Sequence, residues 1–455
     1  MFVLEEATIA GMQAAVAAKE ISYRELAMLY LERIGAMDSC EGGLNSVLEI
    51  NPDVLEDARR MDEKRAKGVL SGPLHGIPIT LKDNISTADK MHTSAGSLAL
   101  ADNFAQYDAK IVKNLRKAGA VILGKVNMTE FANWMSRMPS GYSSRGGQVK
   151  NPYNLEEDPS GSSSGSAVAV AANLCAVSVG TETHGSIISP AIVNGIVGIK
   201  PTSGLLSGHG IIPISNTLDT PGPMARTVQD AAALLGAMQK HADYKLDGAN
   251  LKGLRIGVYG KKNEEHAEFN AALEQALPML EAAGAVIIRD IPVLSPEITW
   301  DAFAPIPKHE FKRCIESYLS TVNSKVKTLK DIVDFNEANS DKCLKYGQTM
   351  LLSCLNDYDG SLTHPEYMQS LRFRENARAG LAKIYAENNL DILIGATQHM
   401  GVAPLTGFPS GTIPIGKKKN GVPIGMYFVA RSFDEAGLLR AMYAAEQVAG
   451  KRRAP

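Results

Sequence analysis

The sequence lacks most features that would take it into a membrane or onto a charged polymer. Its 455 residues hold no apolar run of about 20, so no bilayer-spanning helix is expected. Lys and Arg number 47 against 49 Asp and Glu, a net charge of −2 without a strongly basic block, so nucleic-acid binding through phosphate neutralisation is not expected. Lys417-Lys418-Lys419 and Lys451-Arg452-Arg453 read as solvated turns and ends. The cysteines (Cys40, Cys175, Cys314, Cys343 and Cys354) are odd in number and lack metal-type spacing. Free thiols in a reducing compartment are expected, and no metal or organic cofactor is implied. The opening MFVLEEATIAGMQ carries acid where a secretory leader carries base, which points to the cytoplasm.

What is present is an ordinary globular composition, 45% hydrophobic and 21% charged, in a chain long enough for one large core or two closely packed lobes. Helices are expected at 9–19, at 22–37 and at 52–67; Ser22 and Glu25 form a capping-box pattern at the second. Helices at 109–118 and 271–283 each run through a glycine into an apolar strand, and 254–259 reads as a further strand. That alternation argues for an α/β layered fold around a mostly mixed sheet. Residues 300–389 are polar and helical, an external layer or pocket cover. Residues 390–394 return to the sheet, 404–416 read as a turn-rich loop, 424–429 as a strand and 434–449 as a closing helix. With no repeat and no clear linker, the chain reads as one domain. Its parts are N-terminal helices (1–70), a core (71–240 and 250–295), a helical cover (about 296–389) and a return to the core (390–455).

The most informative stretch runs from Asp158 to Thr202. It opens with a Gly/Ser run, continues with small residues, and reaches a glycine loop containing Thr183-His184-Gly185-Ser186. Small residues let backbone approach backbone or ligand, and such a loop can aim several N–H groups at one point. The alternative is a small-residue helix merely capped by serines. Strand 77–81 ends in Lys82-Asp83-Asn84. A lysine at a buried strand end is either ion-paired to Asp83 or discharged by desolvation and able to act as a base. Gly161-Ser162-Ser163-Ser164-Gly165 matches a nucleophile elbow only loosely, because no apolar strand precedes it.

Gly161–Ser166, Gly180–Ile187 and Gly198–Thr202 resemble the signature of the amidase signature family. Gly76–Asn84 is similar to that family's lysine strand, and 121–128, 219–227 and 407–414 also have family form. The likeness spans most of the chain and is weakest from about 295 to 390. It implies a large central mixed β-sheet covered by helices on both faces. It further implies a Ser-cisSer-Lys triad: Ser186 as nucleophile, Ser162 as the bridging serine on a cis peptide bond, and Lys82 as base. Backbone N–H groups of Thr183, His184, Gly185 and Ser186 would hold the oxyanion.

Two positions depart from the family's commonest pattern. His184 stands where glycine is usual and is expected to face outward, its backbone serving the loop; the alternative is a side chain that narrows the site. Ile188 replaces a common arginine, which removes a partner for Glu182. The substrate pocket is expected at Met128, Phe131, Trp134 and Ser163 on one side and at 398 to 412 on the other. The motif variants, with Ser144–Gln148 upstream, resemble the peptide-amidase and general-amidase branch most. They imply hydrolysis of a small-molecule or peptide amide. A glutamine-hydrolysing amidotransferase subunit that needs a partner, and a catalytically idle ligand-binding relative, are the alternatives. The assembly stays open, a homodimer included.

Overall fold

The computed structural model describes residues 2–240, 242–260, 264–292, 294, 299–395, 400–450 and 452–455. Strands are β1 Val47–Ile50, β2 Pro78–Lys82, β3 Val121–Val126, β4 Tyr142–Ser143, β5 Gly147–Gln148, β6 Val177–Glu182 and β7 Val197–Lys200. They continue as β8 Thr220–Ala225, β9 Arg255–Tyr259, β10 Val286–Ile291, β11 Ile392–Gly395, β12 Ser410–Lys417 and β13 Pro423–Val429. All but the β4–β5 hairpin join one 11-stranded sheet in the order β1-β3-β2-β6-β8-β7-β12-β13-β11-β9-β10. β2 lies parallel to β3 and β6, whereas β8 runs antiparallel to β6 and β7, so the sheet is mixed as expected.

Central strands β2, β3, β6 and β7 are buried at every residue, the pattern of a sheet covered on both faces. Helix Ser164–Ala171, built of Ser, Gly, Ala and Val and buried throughout, packs against β6. A Cβ at Gly165 would stand 2.3 Å from the Asn127 carbonyl oxygen and 2.5 Å from that of Ser46, so nothing larger fits there. The Ser22–Glu25 capping box is present. A second apolar cluster lies under helices Pro305–Ser320, Leu329–Ala338 and Thr349–Asn356 and includes Met128, Phe131 and Trp134. Among the described residues no helix is long and apolar enough to cross a membrane.

Two expectations need correction, for 404–416 and for the C-terminal tail. The 404–416 stretch is largely strand: β12 pairs with β7 and β13, and Pro414 falls at the irregularity in its ladder, where a missing N–H is tolerated. β8, with two prolines, is an interior strand; Pro221 and Pro223 are two apart, so the N–H groups they lack fall on one side and the other side stays free to pair. The C-terminal tail is not simply solvated. Arg452 reaches back to Glu6 at 2.7 Å and to the carbonyls of Gly195 and Ala171, while Lys451 lies outside the described residues.

Candidate active site

Lys82 ends β2, well inside the sheet. Its Nζ lies 2.8 Å from Ser162 Oγ, 2.9 Å from Thr181 Oγ1, 3.0 Å from Ser163 Oγ and 3.2 Å from the Thr181 carbonyl. Burial pushes its pKa down to about 7, against the pull of the Asp219 and Glu182 carboxylates. Asp83 is not its partner. That carboxylate accepts the N–H groups of Gly96 at 2.9 Å and Ser94 at 3.2 Å, and pairs with Arg145 at 3.4 Å.

Ser162 and Ser163 belong to the turn that enters helix Ser164–Ala171, and the Gly161–Ser162 peptide bond is cis. The Ser163 N–H donates to the Ser186 carbonyl at 3.1 Å, which draws the serine run against the loop that follows β6. Ser186 Oγ makes no hydrogen bond among the described residues, and Ser186 lines a cavity of about 720 Å³. The Lys82–Ser162 contact is therefore closed and the Ser162–Ser186 contact is open. In the loop, Gly185 has φ +76°, a conformation that side chains disfavour. Glu182 Oε2 accepts the N–H groups of Ile187 at 2.7 Å and Ile188 at 3.1 Å, so backbone donors hold the carboxylate that lacks an arginine. Its other oxygen is buried without a partner.

Two acids that sequence reasoning did not single out support this loop. Asp219 accepts the Thr183 hydroxyl at 2.6 Å and the N–H groups of Ile214 at 2.7 Å and Ser215 at 3.0 Å; burial pushes its pKa up to about 6. Glu310 accepts the hydroxyls of Ser215 at 2.5 Å, Tyr367 at 2.8 Å and Thr217, and the Thr217 N–H at 3.1 Å. Asp219 opens a stretch of family form and could have been found there. Glu310 joins segments far apart in the chain and left no local signal.

The cavity at Ser186 is lined by Trp134, His184, Trp300, Tyr346 and Met350 among others. His184 is exposed, as expected, yet it also lines this cavity: its ring lies 5.5 Å from that of Trp300 and 5.4 Å from that of Phe303, an aromatic wall supplied by helix Trp300–Phe303. Of the four expected substrate contacts only Trp134 lines this cavity. Met128 and Phe131 are buried in the second apolar cluster, and Ser163 is engaged by Lys82. Positive φ at Phe131, Ala132 and Asn133 turns the chain out of regular helical geometry between Met128 and Trp134. Of the wall expected from 398 to 412, residues 398 and 399 lie outside the described residues, and 400–412 do not line the cavity. A smaller cavity of about 370 Å³ adjoins at Thr183 and reaches Asn84 and Thr181, whose side chains are bonded at 3.1 Å.

The Amidase family profile matches residues 25–401, most of the chain. The chain belongs to the amidase family. Among solved structures it is similar to the native peptide amidase of Stenotrophomonas maltophilia, with a TM-score of 0.92 and 40% identity over 100% of this chain and 99% of that one. A probable amidase of Arabidopsis thaliana is 37% identical over 100% of this chain and 92% of its own length. A glutamyl-tRNA(Gln) amidotransferase subunit of Exiguobacterium sibiricum is 30% identical, covering 95% of each chain. As an amidase-family hydrolase the protein acts on amide C–N bonds, on the α/β fold of the peptide amidase structures.

Proposed function

We propose that the protein hydrolyses carboxylic amides, the C-terminal amides of peptides foremost, to the acid and ammonia, with Ser186 as nucleophile, Ser162 as relay and Lys82 as base. The observation that carries this reading is the 2.8 Å contact between Ser162 Oγ and a buried lysine whose pKa is brought to about 7. Neutral Lys82 takes the Ser162 proton as Ser162 takes that of Ser186, and Ser186 Oγ adds to the amide carbonyl carbon. The backbone N–H groups of Thr183, His184, Gly185 and Ser186 receive the developing oxyanion. Ser162 then protonates the departing nitrogen and is reprotonated from Lys82. Water, deprotonated along the same route, frees the acid. Closure of the Ser162–Ser186 contact accompanies substrate binding, as catalytic hydrogen bonds often tighten only in the complex.

The cavity supports a peptide end over a bare small amide, because its volume and its Trp134, Trp300 and Met350 lining suit a side chain beside the reacting amide. Whole-chain likeness to a peptide amidase, one structure of which holds the competitive inhibitor chymostatin, points the same way. A panel of peptide, aromatic and aliphatic amides assayed for ammonia release tests the substrate class, and Ser186→Ala tests the chemistry. Peptide amides are expected to turn over fastest and Ser186→Ala to be silent; activity of that variant within tenfold of wild type rejects the nucleophile. The likeness to glutamyl-tRNA(Gln) amidotransferase chains favours a second reading, which glutaminase activity rising with a companion protein would support.

A further inference from the structure

We propose a second site, for a divalent transition ion of the zinc class, built from His309, His364 and Glu366. None of the three lines the Ser186 cavity or the one that adjoins it. His309 lies in helix Pro305–Ser320 with 2% of its surface exposed, and both of its ring nitrogens are buried without a hydrogen-bond partner. A buried imidazole with neither nitrogen engaged is an unusual expense in a fold and calls for an occupant. The ligating atoms of His309, His364 and Glu366 lie within 4.8 Å of one another, and Asp359 Oδ1 is 3.9 Å from His309 Nδ1. Two imidazoles and carboxylate oxygens are the donor set that zinc accepts, and the two acids offset the charge of a divalent ion.

The ring of His364 lies tilted by 30° against that of His309 with centroids 4.7 Å apart, and its Nδ1 accepts a long 3.4 Å hydrogen bond from the Glu366 N–H. Ligation through Nε2 moves the proton to Nδ1 and gives up that weak bond. Metal–ligand bonds of about 2.0–2.2 Å require the donors to close in by roughly an ångström, a movement open to the exposed His364 and Glu366 side chains. Glu310 follows His309 and Tyr367 follows Glu366, and these two are already bonded at 2.8 Å. An ion here would clasp the same two helices that Glu310 braces against the loop behind Thr183, so it is a stabilising site set apart from the reacting atoms.

The test uses the full chain with Cys40→Ser, because Cys40 is an exposed thiol that would compete for the ion. Zinc titration by calorimetry is expected to give one equivalent bound and a rise in Tm, and cobalt(II) to give the visible bands of a four-coordinate nitrogen–oxygen site. His364→Asn keeps a good helix cap and Glu366→Gln keeps its shape; each is expected to weaken zinc binding by about tenfold or more while leaving the metal-free Tm near that of the parent. Binding unchanged in both variants, or no saturable binding to the parent chain, overturns the site and leaves a water as the partner of His309.

Discussion

Lys82 and Lys125 stand on adjacent parallel strands, Lys82 beside Val126 and Leu81 beside Lys125, and both are fully buried. Burial pushes both pKa values down, to about 7 and about 8. Their partners differ. Lys125 donates to the carbonyls of Ile85 at 2.7 Å and His92 at 2.9 Å and to the Thr93 hydroxyl at 3.0 Å. A carbonyl only accepts, so it holds an ammonium and carries no proton onward. Lys82 meets three hydroxyls, each able to accept and to donate, and Ser162 among them adjoins the Ser186 loop. Desolvation makes a lysine easy to discharge; the chemistry of its neighbours decides whether the proton can be put to use.

The largest effect that would break this contrast comes from removing each amine. Lys82→Met is expected to lower kcat/KM by about 10³-fold or more. Lys125→Met is expected to stay within about tenfold of wild type in activity and to lose thermal stability, since it leaves buried carbonyls unpaired. Equal activity losses in ammonia-release assays would erase the distinction.

The next effect is on pH. Because Lys82 acts neutral, kcat/KM is expected to rise with pH through about 7 and then level off. Stability should follow a related rule. The folded-state pKa lies below the ordinary 10.5, so between those values the unfolded chain binds more protons than the folded one. Wild type therefore gains stability relative to Lys82→Met as pH rises from 7 to 9. A Tm difference, wild type minus variant, that stays flat or falls over that interval would contradict a depressed lysine.

The smallest effect sharpens the picture. Asp219 raises the Lys82 pKa through its charge, so Asp219→Asn is expected to move the acid limb of the pH profile to lower pH. It should also slow turnover a few-fold by loosening Thr183. An unmoved limb would detach Asp219 from the lysine.

Much of this was legible in the chain because the informative residues are local. The Ser22–Glu25 cap, the buried strand that ends at Lys82 and the small-residue helix after Ser163 all follow from short-range patterns, and the structure contains each. What escaped was set by long-range packing. The stretch that forms β12 looks like a turn until its neighbours β7 and β13 are known. Met128 and Phe131 read as a pocket wall because nothing local reveals that they share a buried cluster with distant residues such as Ile212, Ile214 and Phe311. The turning of His184 toward the cavity depends on Trp300 and Phe303, which lie in the stretch where family likeness is weakest.

The Glu310 clasp has a consequence for what can enter. One carboxylate grips the 215–217 loop and, through Tyr367, the long helix Pro365–Glu387, so that loop and helix are tied together beside the smaller cavity, which Asn216 lines. A cavity of about 720 Å³ holds only a few residues of an extended chain, so it suits a loose terminus better than the middle of a folded polypeptide. On the function proposed above, free ends would be the substrates and the interiors of folded proteins would be spared.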